Sequence, residues 1–306
     1  MSWQKAEEAE CASPETCPDV ETVIVPRSQD IGDFEVRRAL PSSKRRMVGP
    51  FVFFDHFGPT VLAAGRGLDV RPHPHIGLST LTWLIEGEIM HRDSIGSVQN
   101  IRPGEVNWMT AGRGIAHSER SPDGQRKADS PLLGLQTWLA LPQRHEETDP
   151  AFQHVAARAL PVISGDGMTA TLVAGTGWGE TSPVGVFSDT IYADVRLDAG
   201  AILPIPDEHE ERAVYVLSGN VEIAGDRFDP ATMLVLRPGD GIAVKALSPS
   251  HVMVIGGAAA DGPRHVWWNF VSSSKERIEQ AKADWKAHRF GAVVGDTEEF
   301  IPLPDK

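Results

Sequence analysis

The sequence predicts an all-β protein made of two related antiparallel β domains and a short C-terminal helix. Beyond residue 20 the chain consists of short β-branched or aromatic runs separated by Gly and Pro, of which it has 29 and 23, a pattern typical of many short strands. The chain also resembles itself: WLIEG at 83–87 is echoed by YVLSG at 215–219, and IRPGE at 101–105 by LRPGD at 236–240. Offsets of 132 and 135 residues indicate a repeated domain rather than a solenoid.

The predicted domains divide the chain at residue 150. We expect residues 21–150 to form the N-terminal domain and residues 151–271 the C-terminal domain. An acidic, disordered tail is expected at residues 1–20, and a helix with a short tail at residues 272–306. In each domain a strand ends at a glycine turn, a hairpin follows, and a Pro-Gly turn precedes the next strand.

The one predicted helix lies near the C-terminus, in the run SSSKERIEQAKADWKAHRF at residues 272–290. Its helical period places three apolar side chains on one face: Ile278, Ala281 and Trp285. Ser273 and Glu276 have the spacing of a capping box, and Gly291 predicts the end of the helix. We expect the apolar face to pack against the β domains; binding of a partner is the alternative.

The charge balance limits the kinds of partner. The chain has 29 Lys and Arg against 42 Asp and Glu, a net charge of −13. Nucleic acids and anionic membranes attract surplus basic residues, so neither is an expected partner. The apolar runs are far shorter than the ~20 residues that span a bilayer, and the N-terminus is acidic where a signal peptide is basic and then apolar. We therefore expect a cytoplasmic protein without a membrane segment.

Both cysteines, Cys11 and Cys17, fall in the predicted tail. No other cysteine could pair with them or complete a cysteine-based zinc site. We interpret them as tail thiols without a redox role.

Two short motifs give the strongest chemical signal. Alternate side chains of a strand share a face, so His73 and His75 of RPHPH would present two imidazoles on one side. His117 and Glu119 of GIAHSE show the same alternation. If the two strands are neighbours, three imidazoles and one carboxylate converge. Such a set suits Fe(II) and also accepts Mn, Co, Ni, Cu or Zn; surface histidines are the alternative.

Two further groups of polar residues lie near these motifs in sequence. His91, Asp93 and Ser94 follow Gly87 on a predicted hairpin, for which a solvated turn is the simpler interpretation and an approach to the mouth of the site the alternative. His56 is flanked by aromatic residues in the run FFDHFGP. This context favours a hydrogen-bonded core imidazole over a role beside the metal.

Three longer runs stand out: GPFVFFDHFGP, DVRPHPHIGLSTLTWLIEGEIMHRDSIG and IRPGEVNWMTAGRGIAHSE. Together they resemble the N-terminal half of the pirin family, within the cupin superfamily. The likeness is close over residues 45–140, and RHVWWNFVSSS at 264–274 resembles the C-terminal segment of bacterial pirin-like proteins. The resemblance implies a bicupin of two antiparallel β-barrel or sandwich domains, in agreement with the internal repeat.

The resemblance also implies one metal ion per chain, usually taken as Fe(II), on four residues: His73, His75, His117 and Glu119. The general cupin pattern has a glutamate where this chain has Thr80, and Glu119 supplies the carboxylate instead, as in pirins. The corresponding position of the second half is Arg212, and no H-x-H motif precedes it. We therefore expect no metal in the C-terminal domain, where the remaining candidates are His209, Glu210, Glu211 and His251.

By the same resemblance, the implied activity is that of a quercetin 2,3-dioxygenase. A flavonol would bind the metal through its 3-hydroxyl oxygen, Glu119 would take the hydroxyl proton, and O₂ would open the central ring with loss of carbon monoxide. A flat substrate needs apolar walls. Four residues near the ligand strands are candidates, with a role in the domain core as the alternative: Phe53, Trp83, Trp108 and Met109.

A regulatory role is the alternative function. The resemblance extends to pirins that act as iron-dependent redox switches, in which the change from Fe(II) to Fe(III) alters the surface offered to a protein partner. A third hypothesis is a metal-binding bicupin whose substrate is not a flavonol. We expect a monomer that takes a small aromatic substrate and O₂, with a protein partner left open.

Overall fold

The computed structural model describes residues 17–30 and 35–304. Cys11 and residues 1–16 of the predicted tail lie outside the described residues. The described part of the chain contains 25 strands and one α-helix.

The strands are short and continue along the whole described chain. Twelve lie in its first half: β1 (Val20–Ile24), β2 (Arg27–Asp30), β3 (Glu35–Leu40), β4 (Phe51–Leu62), β5 (Asp69–His75), β6 (Leu78–Glu86), β7 (Ile89–Asp93), β8 (Val98–Ile101), β9 (Val106–Thr110), β10 (Ile115–Arg120), β11 (Ser130–Ala140) and β12 (Ala151–Val155). Thirteen follow: β13 (Val162–Gly165), β14 (Met168–Gly177), β15 (Glu180–Thr181), β16 (Thr190–Leu197), β17 (Ile202–Pro204), β18 (Glu211–Ser218), β19 (Val221–Ile223), β20 (Asp226–Phe228), β21 (Thr232–Leu236), β22 (Ala243–Ala246), β23 (Ser250–Gly257), β24 (His265–Trp267) and β25 (Phe270–Ser272). The helical segments are the 3₁₀ turns Gln125–Lys127, Gln143–His145 and Ala157–Ala159 and the helix α1 (Lys275–Lys286).

Two sheets form the N-terminal domain. The larger has the strand order β12-β9-β6-β11-β4-β3-β2, and the smaller has the order β5-β10-β7-β8. Leu84 and Leu132 of the larger sheet share a buried apolar cluster with Ile89 and Ile101 of the smaller. The two sheets therefore pack face to face as a sandwich.

The C-terminal domain repeats this arrangement. Its larger sheet has the order β1-β21-β18-β23-β16-β14-β13 with β15 beside β14, and its smaller sheet has the order β17-β22-β19-β20. Val214 and Val254 of the first pack with Ile223 and Val244 of the second. The described sheets are open rather than closed into barrels, so each domain is a sandwich. The predicted all-β architecture of two antiparallel domains with one short helix is confirmed.

The two large sheets pack against each other and bury the domain interface. The rings of Phe51 and Tyr192 are 5.6 Å apart, and those of Phe54 and Tyr215 are 4.8 Å apart. Each large sheet is therefore buried on both faces, one against its own small sheet and one against the other domain. This explains why strands such as β23 are buried along their whole length.

Sheet membership differs from the predicted division at residue 150. β1 pairs with β21 of the C-terminal sheet, whereas β12 pairs with β9 of the N-terminal sheet. The domains thus exchange edge strands, and each exchanged strand covers backbone groups that the edge would leave unpaired. Neighbouring residues in sequence carry no signal for such an exchange.

Part of the predicted tail is ordered. Cys17 is 2% exposed, its thiol lies 3.6 Å from the carbonyl oxygen of Ile223, and β1 begins at Val20. The interpretation of Cys17 as a tail thiol is therefore wrong. The reason is the pairing of β1, which draws the preceding residues into the core of the C-terminal domain.

The C-terminal segment returns to the N-terminal domain. Phe270 forms a parallel bridge with Ile76, next to the predicted ligand strand β5. The predicted apolar face of α1 is buried there, with Ile76 and Ala116: Ile278, Ala281 and Trp285. No helix in the described residues is long and apolar enough to cross a membrane.

The start and end of α1 differ from prediction. Ser274, not Ser273, is the N-cap, and its hydroxyl accepts from the backbone N–H of Arg277. Ser273 is unavailable because its N–H and hydroxyl both donate to Glu146. The helix ends at Lys286, before the glycine predicted to terminate it.

Candidate metal centre

Three histidines meet on the small sheet of the N-terminal domain. His73 and His75 lie on β5, and His117 lies on the adjacent β10, where it pairs with His73. One ring nitrogen of each lies within 4.8 Å of the other two. The residues are only 6%, 1% and 1% exposed. The structure therefore brings together three of the four predicted ligands.

The position of β5 explains how RPHPH can form a strand. β5 lies at the edge of its sheet, where proline is tolerated because its missing N–H breaks no ladder. Pro72 and Pro74 alternate with the histidines, so the two imidazoles share the other face.

Hydrogen bonds fix which nitrogen His73 and His75 turn toward the centre. Nδ1 of His73 lies 2.8 Å from the carbonyl oxygen of Arg71, and Nδ1 of His75 lies 3.1 Å from that of Asn269. A carbonyl oxygen can only accept, so both Nδ1 atoms carry the proton. Both Nε2 atoms therefore keep a free lone pair.

His117 is oriented by two residues of β7. Its Nδ1 lies 3.3 Å from Nδ1 of His91, whose Nε2 lies 3.0 Å from Oδ2 of Asp93. Burial opposes ionisation of Asp93, but hydrogen bonds from His91 and Ser97 outweigh it and hold the pKa of this carboxyl below its usual value. The carboxylate accepts from His91 Nε2–H, so His91 Nδ1 accepts from His117 Nδ1–H. His117 also turns an unprotonated Nε2 toward the centre.

Burial keeps the three imidazoles neutral. It lowers the pKa of His73 to about 4, and it lowers the pKa of His75 and of His117 well below the usual value; the repulsion that two protonated neighbours would exert on each other adds to the effect. Metal ions bind the neutral imidazole. The triad can therefore bind an ion at pH 7 without first losing protons.

The spacing of the triad fits a metal ion. Nε2 of His75 and Nε2 of His117 lie 3.0 Å apart. Since neither carries a proton, two buried lone pairs face each other, which is unfavourable unless a cation lies between them. Two nitrogens about 2.1 Å from one ion and at a right angle are about 3 Å apart, so these donors match a first-row metal.

Glu119 lies beside the triad, but its carboxylate is bound to the large sheet. The hydroxyl of Thr82 donates to Glu119 Oε1 at 3.0 Å, and Gln136 is also hydrogen-bonded to the carboxylate. Burial raises the pKa of Glu119, while the hydrogen bonds from Thr82 and Gln136 oppose the rise. Among the described residues, the group of mutually close ligand atoms comprises the three histidines without Glu119.

A row of paired residues on the large sheet faces the imidazoles. This row, called the aromatic row below, crosses five strands from β4 to β12: Phe53, Trp138, Thr80, Met109 and Phe152. Phe53 stacks on Trp138 with ring centroids 3.9 Å apart, and the Trp138 ring lies 5.1 Å from that of His75. Phe152 stacks on His91 at 4.5 Å. Two predicted wall residues, Phe53 and Met109, thus belong to a surface that faces the site.

The other two predicted wall residues, Trp83 and Trp108, face away from the site. Both indoles lie in the interdomain core, and Trp83 Nε1 donates to Asp194 Oδ2 of the C-terminal domain at 2.8 Å. Strand alternation is the reason: Trp83 is three residues from Thr80, and Trp108 is one residue from Met109. Their prediction as pocket residues relied on closeness in sequence and ignored this alternation.

The cluster on β7 is not a solvated turn. His91 is 3% exposed and Asp93 is fully buried, because β7 lies inside the small sheet beside β10. The hydroxyl of Ser94 accepts from the backbone N–H of Ala116 on β10. The alternative interpretation, in which His91, Asp93 and Ser94 lie near the predicted metal site, describes the structure better.

Sequence reasoning missed four residues around the site: Thr82, Gln136, Trp138 and Phe152. No motif marks them, since they reach the centre only through the pairing of β6, β11 and β12 within the large sheet. His56, in contrast, is a buried imidazole whose Nδ1 lies 3.0 Å from the hydroxyl of Tyr215 in the domain interface.

The candidates of the C-terminal domain are dispersed: His209, Glu210, Glu211 and His251. His209 Nδ1 lies 2.9 Å from Asp189, and His251 Nε2 lies 2.8 Å from Asp194. Arg212, at the position of the cupin glutamate, is buried and donates to three backbone carbonyl oxygens.

Comparison with known families gives two matches, one in each domain. The family model described as Pirin matches residues 33–139, and the model described as Pirin C-terminal cupin domain matches residues 192–291. Their order along the chain agrees with the two sandwiches of the structure.

Individual proteins resemble the chain over nearly its whole length. A pirin-like protein of Caulobacter vibrioides is 50% identical over 289 residues, which cover 94% of this chain and 100% of that protein. A crystal structure named quercetin 2,3-dioxygenase from Acinetobacter baumannii has a TM-score of 0.85 and 37% identity, covering 93% of this chain and 96% of that one. A second structure of that name and organism has a TM-score of 0.82 and 26% identity, covering 89% and 98%.

Proposed function

The chain belongs to the pirin family, and from that premise we propose that it is a mononuclear metal enzyme of the quercetin 2,3-dioxygenase type. Its substrates would be a flavonol-like aromatic compound and O₂. The observation that carries the proposal is the meeting of three neutral, buried imidazoles, with the half-buried carboxylate of Glu119 two residues from His117 on the same strand. Similarity to the two dioxygenases of Acinetobacter baumannii supports the same reaction.

We assign one ion per chain to His73, His75 and His117, with Glu119 as a fourth ligand when its carboxylate turns from Thr82 to the centre. Fe(II) is the proposed ion, and the same donors accept Mn, Co, Ni, Cu or Zn. When bound, the ion supplies Lewis acidity toward the 3-hydroxyl oxygen of the flavonol and the redox capacity that O₂ chemistry requires. Four ligands on an ion that can take six leave room for exchangeable partners, as in catalytic sites.

Glu119 is the proposed base for the 3-hydroxyl proton. Burial raises its pKa, and a carboxylate with a raised pKa is the stronger base. Thr82 and Gln136 hold the carboxylate in place before the substrate enters. Loss of the proton makes the flavonol electron-rich; O₂ then adds to it, the central ring opens, and carbon monoxide leaves.

The aromatic row is the proposed wall for the flat substrate. Phe53 and Trp138 already form a stack whose Trp138 end contacts the His75 ring. Flat aromatic rings bind to such surfaces through stacking and the exclusion of water.

Oxygen uptake by iron-loaded protein tests the reaction. After anaerobic loading with Fe(II), we expect quercetin to be consumed with one O₂ taken up and one carbon monoxide released per flavonol. Glu119→Gln should lower kcat by roughly 10²- to 10⁴-fold, the usual contribution of a positioned base. Iron-loaded protein that turns over no flavonol, or an undiminished kcat in the variant, would contradict the proposal.

Metal content tests the ligands separately. We expect the wild-type protein to retain a single equivalent of metal, and the double variant His73→Ala, His117→Ala should lose it. His145→Ala, on a 3₁₀ turn outside the triad, is the matched control and should retain it. A double variant with a full equivalent of metal would show that the assignment is wrong.

A further inference from the structure

We propose that Asp93 is a positioning residue that determines which nitrogen of His117 carries the proton, and so whether the nitrogen that faces the metal is free to bind it, and that Asp93 acts through His91. The inference rests on the metal site proposed above. The three residues form one hydrogen-bonded line, 3.0 Å from Asp93 Oδ2 to His91 Nε2 and 3.3 Å from His91 Nδ1 to His117 Nδ1. They are 0%, 3% and 1% exposed, so bulk water offers no alternative partner.

The carboxylate of Asp93 is held in one orientation. Its Oδ1 accepts from two backbone N–H groups, that of Ile95 at 3.1 Å and that of Ser97 at 2.8 Å. Oδ2 is therefore the oxygen that faces His91. The His91 ring is held in turn by its stack on Phe152, with an interplanar angle of 20°.

His117 differs from the other two ligands in this respect. His73 and His75 donate to backbone carbonyl oxygens. A carbonyl oxygen remains an acceptor when the surrounding side chains are changed. His117 takes its orientation from side chains only. Among the three ligands, His117 is therefore the one in which a substitution outside the metal site can change which ring nitrogen carries the proton.

Asp93→Asn would move the proton of His117 to its other nitrogen, although the side chain at position 93 keeps its shape. The amide oxygen must stay where two backbone N–H groups need an acceptor, so the NH₂ group must face His91 Nε2. His91 then accepts at Nε2 and carries its proton on Nδ1, which donates to His117 Nδ1. The proton of neutral His117 moves to Nε2, the atom that faces the centre, and a protonated nitrogen binds no metal.

Histidine tautomers in metal-free protein give the direct test. Long-range ¹H–¹⁵N NMR of protein labelled with ¹⁵N-histidine should show the His117 proton on Nδ1 in the wild type and on Nε2 in Asp93→Asn. The same tautomer in both proteins would overturn the proposal. This measurement needs no metal, so it decides the question even if the proposed function fails.

A Co(II) titration against a competing chelator gives the energetic test. Asp93→Asn should weaken Co(II) binding by roughly 10- to 100-fold, the usual effect of losing a partner of a ligand. His91→Phe, which keeps the stack but removes the acceptor, should weaken it less, because His117 is then free to choose its tautomer. If these residues acted through packing alone, Asp93→Asn would weaken Co(II) binding less than His91→Phe, because Asn and Asp have the same shape. That result would overturn the proposal.

The matched control is Asp189→Asn. Asp189 also pairs with a histidine, His209, but in the C-terminal domain. This variant should bind Co(II) as the wild type does. Equal affinity in Asp93→Asn and Asp189→Asn would overturn the proposal, whereas a wild-type protein that binds no Co(II) would contradict the metal site itself.

Discussion

Trp83 Nε1 donates to Asp194 Oδ2 at 2.8 Å, and this hydrogen bond joins the metal-site domain to the C-terminal domain. The other oxygen of Asp194 lies 2.8 Å from His251 Nε2. Both residues that meet across the interface are buried, at 4% and 7% exposure. A buried carboxylate that loses a donor keeps the cost of its desolvation, so the pair should be a strong point of domain attachment.

We expect Trp83→Phe to lower the free energy of unfolding by about 1.5–3 kcal/mol, the usual range for a hydrogen bond to a charged group. Urea unfolding at pH 7 measures the effect. Trp178→Phe is the matched control, because its indole donates to the Pro204 carbonyl oxygen at a more exposed place. Equal losses in the two variants would show that the interface bond has no special strength.

The aromatic row predicts a difference between two tryptophans. Trp138→Leu should raise KM for quercetin by roughly 2- to 10-fold, since aromatic stacking contributes about 0.5–1.5 kcal/mol, and it should leave the metal content unchanged. Trp108→Phe, on the opposite face of the sheet, should leave KM unchanged. Steady-state oxygen uptake gives both values, and a rise in KM for Trp108→Phe alone would reverse the assignment of faces.

The pH dependence of stability should carry a signature of His56. Burial lowers the pKa of His56 to about 4, so the unfolded chain, with a pKa of about 6.5, binds more protons between these values. Stability from this residue is fully present above pH 6.5 and is lost as the pH falls through 4. Metal-free protein should lose about 2 kcal/mol from this source between pH 7 and pH 5.

Urea unfolding of metal-free His56→Phe across this pH range isolates the contribution. The variant should show a flatter dependence than the wild type, whereas Trp178→Phe, which removes no histidine, should keep the wild-type slope. Parallel curves for the wild type and His56→Phe would contradict the expectation.

The C-terminal segment should help to retain the metal. The Ile301 N–H donates to the Pro72 carbonyl oxygen at 2.8 Å, and Arg120 binds Asp296 through two hydrogen bonds of 2.6 and 2.9 Å. Through these contacts the C-terminal segment binds the two strands that carry the histidines, β5 and β10. Removal of residues 292–306 should speed the loss of Co(II) to EDTA by roughly 10-fold, as expected when support around ligands is removed. A chain shortened after residue 304 is the control, and equal rates would contradict the role of the segment.

Strand alternation made much of the candidate site predictable. His73, His75 and His117 follow from two short motifs, because alternation within a strand is a local property. The partner of Glu119 could not be predicted in the same way. Thr82 is 37 residues away on the other sheet, and only the packing of the two sheets brings it to the carboxylate.

The limits of the fold prediction have a similar cause. Repeated segments predicted two β domains, but the exchange of β1 and β12 depends on which sheet edge lies nearest after folding. Trp83 and Trp108 show the same limit on a smaller scale. When both faces of a sheet are buried and apolar, closeness to a motif in sequence does not predict the face on which a side chain lies.

The carbonyl oxygen that holds His75 belongs to Asn269, which follows it by 194 residues. When the residues of the N-terminal sandwich have been synthesised, the residue whose carbonyl oxygen supports His75 has therefore not yet been added to the chain. β1 likewise lacks its pairing partner at first, because β21 is translated about two hundred residues later. Capture of the proposed ion should thus follow translation of the second domain, so that the order of synthesis delays metal binding until the support of His75 is in place.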